Sequence, residues 1–278
     1  MGANSAARRL VKKALYPVLN EHTYRYFQAA AKAWDIRAGR WTEPELELLP
    51  RAVRAGETAL DVGANYGLYS YHLSRLGGVR VYAFEPVPFT FRTLATVARL
   101  LRFRGVELVE KGCSDRAGRI TFTVPVQASG AVAAGQAYIG GRDDEREGRE
   151  GQVRWAGTRD VTAEVVALDE FVPRAERVTL FKCDIEGAEL LAFRGAERLI
   201  GEHLPTVICE INPWFLGGFG IRLEELLDFF SARGYGLYHY REEGGRNRLR
   251  EVAPAEVVED NYVFIHPSRR ERFAELTG

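Results

Sequence analysis

The chain predicts an α/β fold: a Rossmann-like, doubly wound, mostly parallel sheet with helices on both faces, preceded by an N-terminal helical extension. Three observations carry that prediction. From Glu57 onward, short apolar runs alternate with stretches of helical periodicity, the pattern of successive βαβ units. The first run, Thr58–Val62, passes into a glycine-bearing turn, Asp61-Val62-Gly63-Ala64-Asn65-Tyr66-Gly67, that opens a helix. The second run ends in Phe84-Glu85-Pro86, which puts a carboxylate about twenty residues beyond the glycines, the spacing of a nucleotide-binding unit.

Residues 1–50 form the extension. Leu10, Val11, Ala14, Leu15 and Val18 repeat at helical spacing, flanked by Arg8, Arg9, Lys12 and Lys13. This segment reads as a solvated cap, or as a basic amphipathic helix in weak contact with an anionic membrane surface through residues 8–18. Pro17 and Pro44 punctuate it. The domain proper spans 51–278. After the strand Thr58–Val62 comes a helix over 66–76, then a strand over 79–84. Phe91, Leu94, Val97, Ala98 and Leu101 share one helical face, and Val106–Val109 is a third strand. Val178–Cys183 and Thr206–Ile211 are later strands, with a helix around 188–200 between them. Leu223, Leu226, Leu227 and Phe230 mark another helix, and strands at 236–240 and 262–265 close the chain. One stretch breaks the alternation. Residues 125–160 hold few large apolar side chains, and 140–151 is strongly polar. So long a stretch without periodicity predicts a mobile insertion near the substrate, or a plain surface insertion.

Composition narrows the function. Of the 278 residues, 46% are apolar and 27% charged, a globular balance in a chain long enough to bury a core. The formal net charge is zero, which gives no bias toward nucleic acid as a partner. Cys113, Cys183 and Cys209 include no C-x-x-C pair, so neither a disulfide framework nor a zinc spacing is present. A reducing, cytoplasmic setting is expected. No stretch has the make-up of a signal peptide or reaches the roughly 20 apolar residues of a membrane span.

Ligands on such sheets bind beyond the carboxyl ends of the strands, where strand order reverses. Gly63 and Gly67 permit backbone angles other residues avoid and let a ligand approach the main chain. Glu85 is placed to accept hydrogen bonds from ribose hydroxyls; otherwise it is a solvated carboxylate at a strand end. A dinucleotide turn would read G-x-G-x-x-G, but Asn65 stands where the middle glycine makes room for pyrophosphate. Asp61 puts a carboxylate at the strand mouth, which repels pyrophosphate and attracts a cation. S-adenosylmethionine, with its adenosine, ammonium and sulfonium, suits that layout better than NAD. An NAD-dependent enzyme and a non-catalytic scaffold keeping the fold are the alternatives; intact Gly63, Gly67 and Glu85 count against the second.

Four motifs in order, the turn at 61–67, Phe84-Glu85-Pro86, Leu168-Asp169-Glu170-Phe171 and Lys182-Cys183-Asp184-Ile185-Glu186-Gly187-Ala188-Glu189, resemble the FkbM family of S-adenosylmethionine-dependent methyltransferases. The resemblance covers about 57–266 and departs from the family pattern at Cys183, where an apolar residue usually precedes the motif aspartate. It implies the class I methyltransferase type of doubly wound sheet, with S-adenosylmethionine as cofactor. It also implies that 61–67 wraps the methionine part, that Glu85 binds the ribose, and that Ser114 and Asp115 contact adenine. Asp115 reads equally well as a turn residue before Gly118. The implied acceptor is a hydroxyl of a sugar, glycan or polyketide-like metabolite, and nitrogen acceptors stay open.

Methyl transfer to a neutral hydroxyl needs orientation and a general base. Asp184, after the apolar strand Val178–Cys183, is the first candidate, across from the glycine turn and near the cofactor. Glu186 and Glu189 follow it, and would also complement a helix N-terminus. Glu210 is a second candidate: a carboxylate in an apolar strand is costly unless paired or facing a site. Lys182 could pair with it, leaving both structural. Asp184, Glu186, Glu210 and Asn212 offer oxygens to a divalent ion, but no ligand spacing demands one, and no metal is expected. The aromatic, glycine-rich stretch holding Trp214, Phe215 and Phe219 reads as a loop that stacks on a sugar or apolar acceptor, or as a loop packing over the core. His72 reads as a packed or surface residue, and His239 is a weak alternative as a base.

Overall fold

Buried apolar runs of five or six residues become strands, and the periodic segments between them become helices. The computed structural model describes residues 21–127, 138–139 and 155–277. Helix α1 (Glu21–Arg37) leads through a 3-10 turn (Pro44–Leu48) into the one-turn α2 (Leu49–Ala52). Then come β1 (Thr58–Val62), α3 (Leu68–Ser74), β2 (Arg80–Phe84), α4 (Pro88–Leu101) and β3 (Val106–Val109). Four strands follow: β4 (Gly112–Cys113), β5 (Gly118–Gln127), β6 (Tyr138–Ile139) and β7 (Trp155–Val166). After α5 (Leu168–Phe171) the order is β8 (Val178–Cys183), α6 (Glu189–Arg194), α7 (Glu197–His203), β9 (Thr206–Ile211), α8 (Pro213–Gly218) and α9 (Leu223–Ser231). Strands β10 (Gly236–Glu243), β11 (Arg246–Glu251) and β12 (Asp260–Ile265) close the list.

The main sheet has eight strands in the order β3-β2-β1-β8-β9-β12-β10-β11. The pairs from β3 to β9 are parallel, and β12 runs antiparallel to both β9 and β10. The chain leaves β1 toward one edge and returns at β8 to build toward the other. The switch point therefore lies between β1 and β8, where a ligand crevice opens beyond the strand ends. Every residue of β1 and β8 is buried, as expected for parallel strands covered on both faces. On one face Leu60, Val62, Phe181 and Cys183 meet α5 to α9. Phe193 of α6 lies 5.1 Å from Phe181 and 4.8 Å from Phe230 of α9, ring centre to ring centre. On the other face Ala59, Val81, Leu180 and Ile208 meet α1 to α4. Burial of such side chains contributes about 1.5–3 kcal/mol each. The doubly wound, Rossmann-like prediction holds in full.

Two features depart from the sequence reading. The helix expected around 188–200 is split into α6 and α7. A Cβ on Gly195 would lie 2.0 Å from the carbonyl oxygen of Ser114, so the backbones are too close for a side chain there. Secondly, β4 to β7 form a separate sheet in the order β4-β7-β5-β6, with β5 and β7 antiparallel from Gly118↔Val165 onward. Stretches 125–127 and 155–160, read as part of an insertion, are therefore strand. Apart from 138–139, the rest of that insertion lies outside the described residues, as does the basic segment 8–18. Among the described residues, no helix is long and apolar enough to cross a membrane.

Candidate active site

The turn after β1 is built by backbone constraints. The N–H groups of Gly63 and Ala64 donate to the Phe84 carbonyl at 3.0 and 2.9 Å, tying the turn to β2. Gly63 has φ +81°, and a Cβ there would lie 1.8 Å from the Asp184 carbonyl oxygen. Asp184 in turn donates its N–H to Val62 at 3.0 Å. Only glycine satisfies that closeness and that angle together. The turn and the end of β8 are thus one packed unit.

Glu85 lines the crevice at the end of β2. Its Oε2 accepts from the Asn65 N–H at 3.1 Å and its Oε1 from the Val87 N–H at 3.0 Å. Burial pushes its carboxyl up to about 7 despite those two bonds. Asn65 itself has φ +49°. Its side-chain Oδ1 is buried and has no hydrogen-bond partner among the described residues, a vacancy suited to a donor on a bound molecule.

Asp61 is not where the sequence suggested. It is 1% exposed and lies beneath the turn, where Ser70 Oγ donates to its Oδ2 at 2.5 Å. Burial raises its pKa against the pull of Lys182 and Ser70. It braces the turn from below and does not stand at the mouth. Lys182, its parallel neighbour on β8, is 3% exposed and donates from Nζ to Asp184 Oδ2 at 2.8 Å. Burial alone would lower the lysine's pKa; Asp184, Asp61 and Glu43 outweigh it and hold it high. Lys182 thus pairs with Asp184, and not with Glu210 as the sequence allowed.

Asp184 and Glu210 face each other across the ends of β8 and β9. Burial pushes both carboxyls upward, but Lys182 and a hydrogen bond from Glu210 hold Asp184 below the usual range. Glu210 is raised by burial and by the adjacent Asp184. The two shifts run in opposite directions, toward a charged Asp184 and a protonated Glu210. An oxygen of Glu186 joins theirs within 4.8 Å. Glu189 is different: it is buried, and its Oε1 accepts from the N–H groups of Ile185 and Gly187 at 3.0 Å each. It holds the 184–187 loop in shape, with its own carboxyl pushed up to about 7 by burial. Asn212 caps α8, accepting on Oδ1 from Trp214 and Phe215 at 3.0 and 3.3 Å.

These groups surround a cavity of about 280 Å³ lined by Gly63, Asn65, Glu85, Asp184, Glu186 and Glu210. One wall is apolar, with Val87, Cys113, Ile120 and Val165. Of the expected residues, Asp61, Gly67, Ser114 and Asp115 do not line it. Gly67 caps the start of α3 at φ +87°. Ser114 is buried, with Oγ 3.1 Å from Asp115 Oδ1; the two residues before it, Gly112 and Cys113, form the wall instead. Phe219 lines the cavity while Trp214 is exposed. His239 pairs with Asp260 at 3.0 Å and does not line the cavity. Sequence reasoning missed Trp41 and Glu43, which reach the cavity from the extension. No motif marks them; the ring of Lys32-stacked Trp41, 4.3 Å from the ammonium, is visible only once α1 has packed.

The model of the methyltransferase FkbM domain matches residues 61–237, well over half of the chain. The chain belongs to the FkbM methyltransferase family. The match begins at Asp61, the end of β1, and takes in the cavity's glycine turn, Glu85, Asp184 and Glu210. Methyltransferase sdnD of Sordaria araneosa is 28% identical over 200 residues, 66% of this chain and 75% of its own length. Methyltransferase 1 of Beauveria bassiana strain ARSEF 2860 is 26% identical over 160 residues, 55% of this chain and 63% of its own. A crystal structure of methyltransferase FkbM from Methylobacillus flagellatus KT is 18% identical, covering 76% of this chain and 43% of that one, with a TM-score of 0.44. Trp41 and Glu43, which complete the cavity lining, fall outside the matched residues.

Proposed function

We propose that this chain is an S-adenosylmethionine-dependent O-methyltransferase acting on a hydroxyl of a sugar, glycan or polyketide-like metabolite. The observation that carries the reading is the Asp184 carboxylate lining the cavity directly beside the Gly63 turn, with the Lys182 ammonium 2.8 Å from its Oδ2 and an oxygen of Glu210 within 4.8 Å. The residues present fit the cofactor. Asn65 Oδ1 and the acidic lining suit its ammonium, Glu85 suits the ribose hydroxyls, and the wall of Val87, Cys113, Ile120 and Val165 suits adenine. Ser114 and Asp115 take no part in this reading, and Asp61 acts by bracing the turn. Bound there, S-adenosylmethionine supplies an electrophilic methyl group.

The chain's own contribution is orientation, charge and one proton transfer. The acidic lining favours a cationic donor over a pyrophosphate. Asp184 takes the acceptor's proton as its oxygen gains the methyl group, and releases that proton to solvent. Glu210 holds its own proton and steadies Asp184 and the acceptor. Such a base contributes about 10²–10⁴ in rate. The test is incubation with methyl-labelled S-adenosylmethionine and a panel of hydroxylated glycans and polyketides. Label retained through mild alkali, as in an ether, supports the reading. Label found only on nitrogen or as an alkali-labile ester contradicts it.

A further inference from the structure

Two carboxylates that share one hydrogen bond cannot both stay ionised at close range. Asp184 and Glu210 are such a pair, and chemically either could be the charged member. Lys182 breaks the tie. It sits near the end of β8, two residues before Asp184, which lies just past the strand. Its ammonium is 2.8 Å from Asp184 Oδ2. Behind it stand Asp61 on β1 and Glu43 from the extension, and the Tyr69 ring on α3 lies 5.0 Å away. A buried ammonium is costly unless paired, so this cation is held in place by the fold and is itself a fixed charge. The other charged and titratable groups around Asp184 include Glu210 and the buried Cys209 thiol on β9, Glu85 just past β2, Glu186 in the loop that follows it and Glu189 at the start of α6. All of these are acidic; among the described residues in this cluster Lys182 alone is basic.

We propose that Lys182 is the positioning residue that assigns the roles of the two acceptor-site carboxylates. Its ammonium keeps Asp184 as the carboxylate facing the cavity and leaves Glu210 as its proton-bearing partner. It also ties that choice to the cofactor turn, because the same ammonium is the counter-charge of Asp61 beneath Gly63. The proposal rests on reading Asp184 as the base. Lys182 does not line the cavity and acts through Asp184.

The test compares Lys182→Met and Lys182→Arg with the parent chain by carbon-13 NMR titration of the side-chain carboxyls, with no acceptor present. Because Lys182→Met strands the Asp61 charge, the double variant Asp61→Asn/Lys182→Met is measured beside it and keeps the buried charge in balance. Loss of the ammonium should raise the first titration step of the Asp184–Glu210 pair by about two units, and Lys182→Arg should restore it. The acid limb of the kcat–pH profile, measured on whichever acceptor is methylated, should move up by the same amount. A pair that titrates unchanged in the folded double variant overturns the role of Lys182. A chain that methylates no acceptor sinks the functional reading instead, and the carboxyl titration still reports on Lys182 alone.

Discussion

Asp184 and Glu210 differ in charge because their neighbours differ, and that difference is what single substitutions should expose. Asp184→Asn should lower kcat by about 10²–10⁴ and leave the Kd for S-adenosylhomocysteine nearly unchanged; loss of both in parallel, read by calorimetry and single-turnover assays, contradicts a base at that position. Gly63→Ala forces a Cβ to 1.8 Å from the Asp184 oxygen at φ +81°. The strain should lower Tm by roughly 4–10 °C and weaken cofactor binding; a thermal scan showing parental Tm argues against the tight seat between turn and β8. The sequence made these residues visible as motif members but not their facing. Asp61 was read at the strand mouth, yet strand alternation turns its side chain under α3, where Ser70 meets it. Lys182, which by sequence could pair with Glu210, instead meets Asp184, two residues on and just past the end of β8.

Strands β1, β8 and β9 coincide with the apolar runs in the sequence, because a parallel strand covered on both faces is apolar at nearly every position. The second sheet did not show itself that way. In β5 the sequence Arg119-Ile120-Thr121-Phe122-Thr123-Val124 alternates with period two, the mark of a strand with one wet face, and alternation this short is easily lost beside a polar stretch. The split between α6 and α7 depends on a backbone approach from β4, which no local pattern encodes. At the start of α8, Asn212, which by sequence offers an oxygen to a divalent ion, caps the helix. Asn212→Ala should therefore cost about 1 kcal/mol, a Tm fall of roughly 2–4 °C by thermal unfolding, while cofactor affinity stays put. An unchanged Tm with lost binding would return Asn212 to the site.

For the molecule as a whole, the placing of the crevice between β1 and β8 was legible from motif order, whereas its closure by Trp41 and Glu43 was not, since packing of the extension decides it. Net behaviour with pH also belongs to this scale. Burial pushes Glu45, Glu85 and Glu189 up to about 7 from 4.5. Each then binds a proton in the folded chain that the unfolded chain has lost. Their stabilisation is full below about pH 4.5 and lost as pH rises through about 7. Glu57 has the opposite sign. Despite its burial, hydrogen bonds from Arg272, Arg54 and Thr179 hold it at about 2, so its contribution is present above 4.5 and fades only in acid. The ligand-free chain should lose roughly 5–10 °C in Tm between pH 5 and pH 8; a Tm that climbs over that interval contradicts these assignments. The central claim is that the acidic crevice beside Gly63 receives a cationic nucleoside donor and not a dinucleotide. Calorimetric titration of the folded chain with S-adenosylmethionine and, separately, with NAD tests it most directly. One-to-one binding of the former with no heat from the latter is the expected result, and saturable binding of NAD with none of S-adenosylmethionine would contradict it.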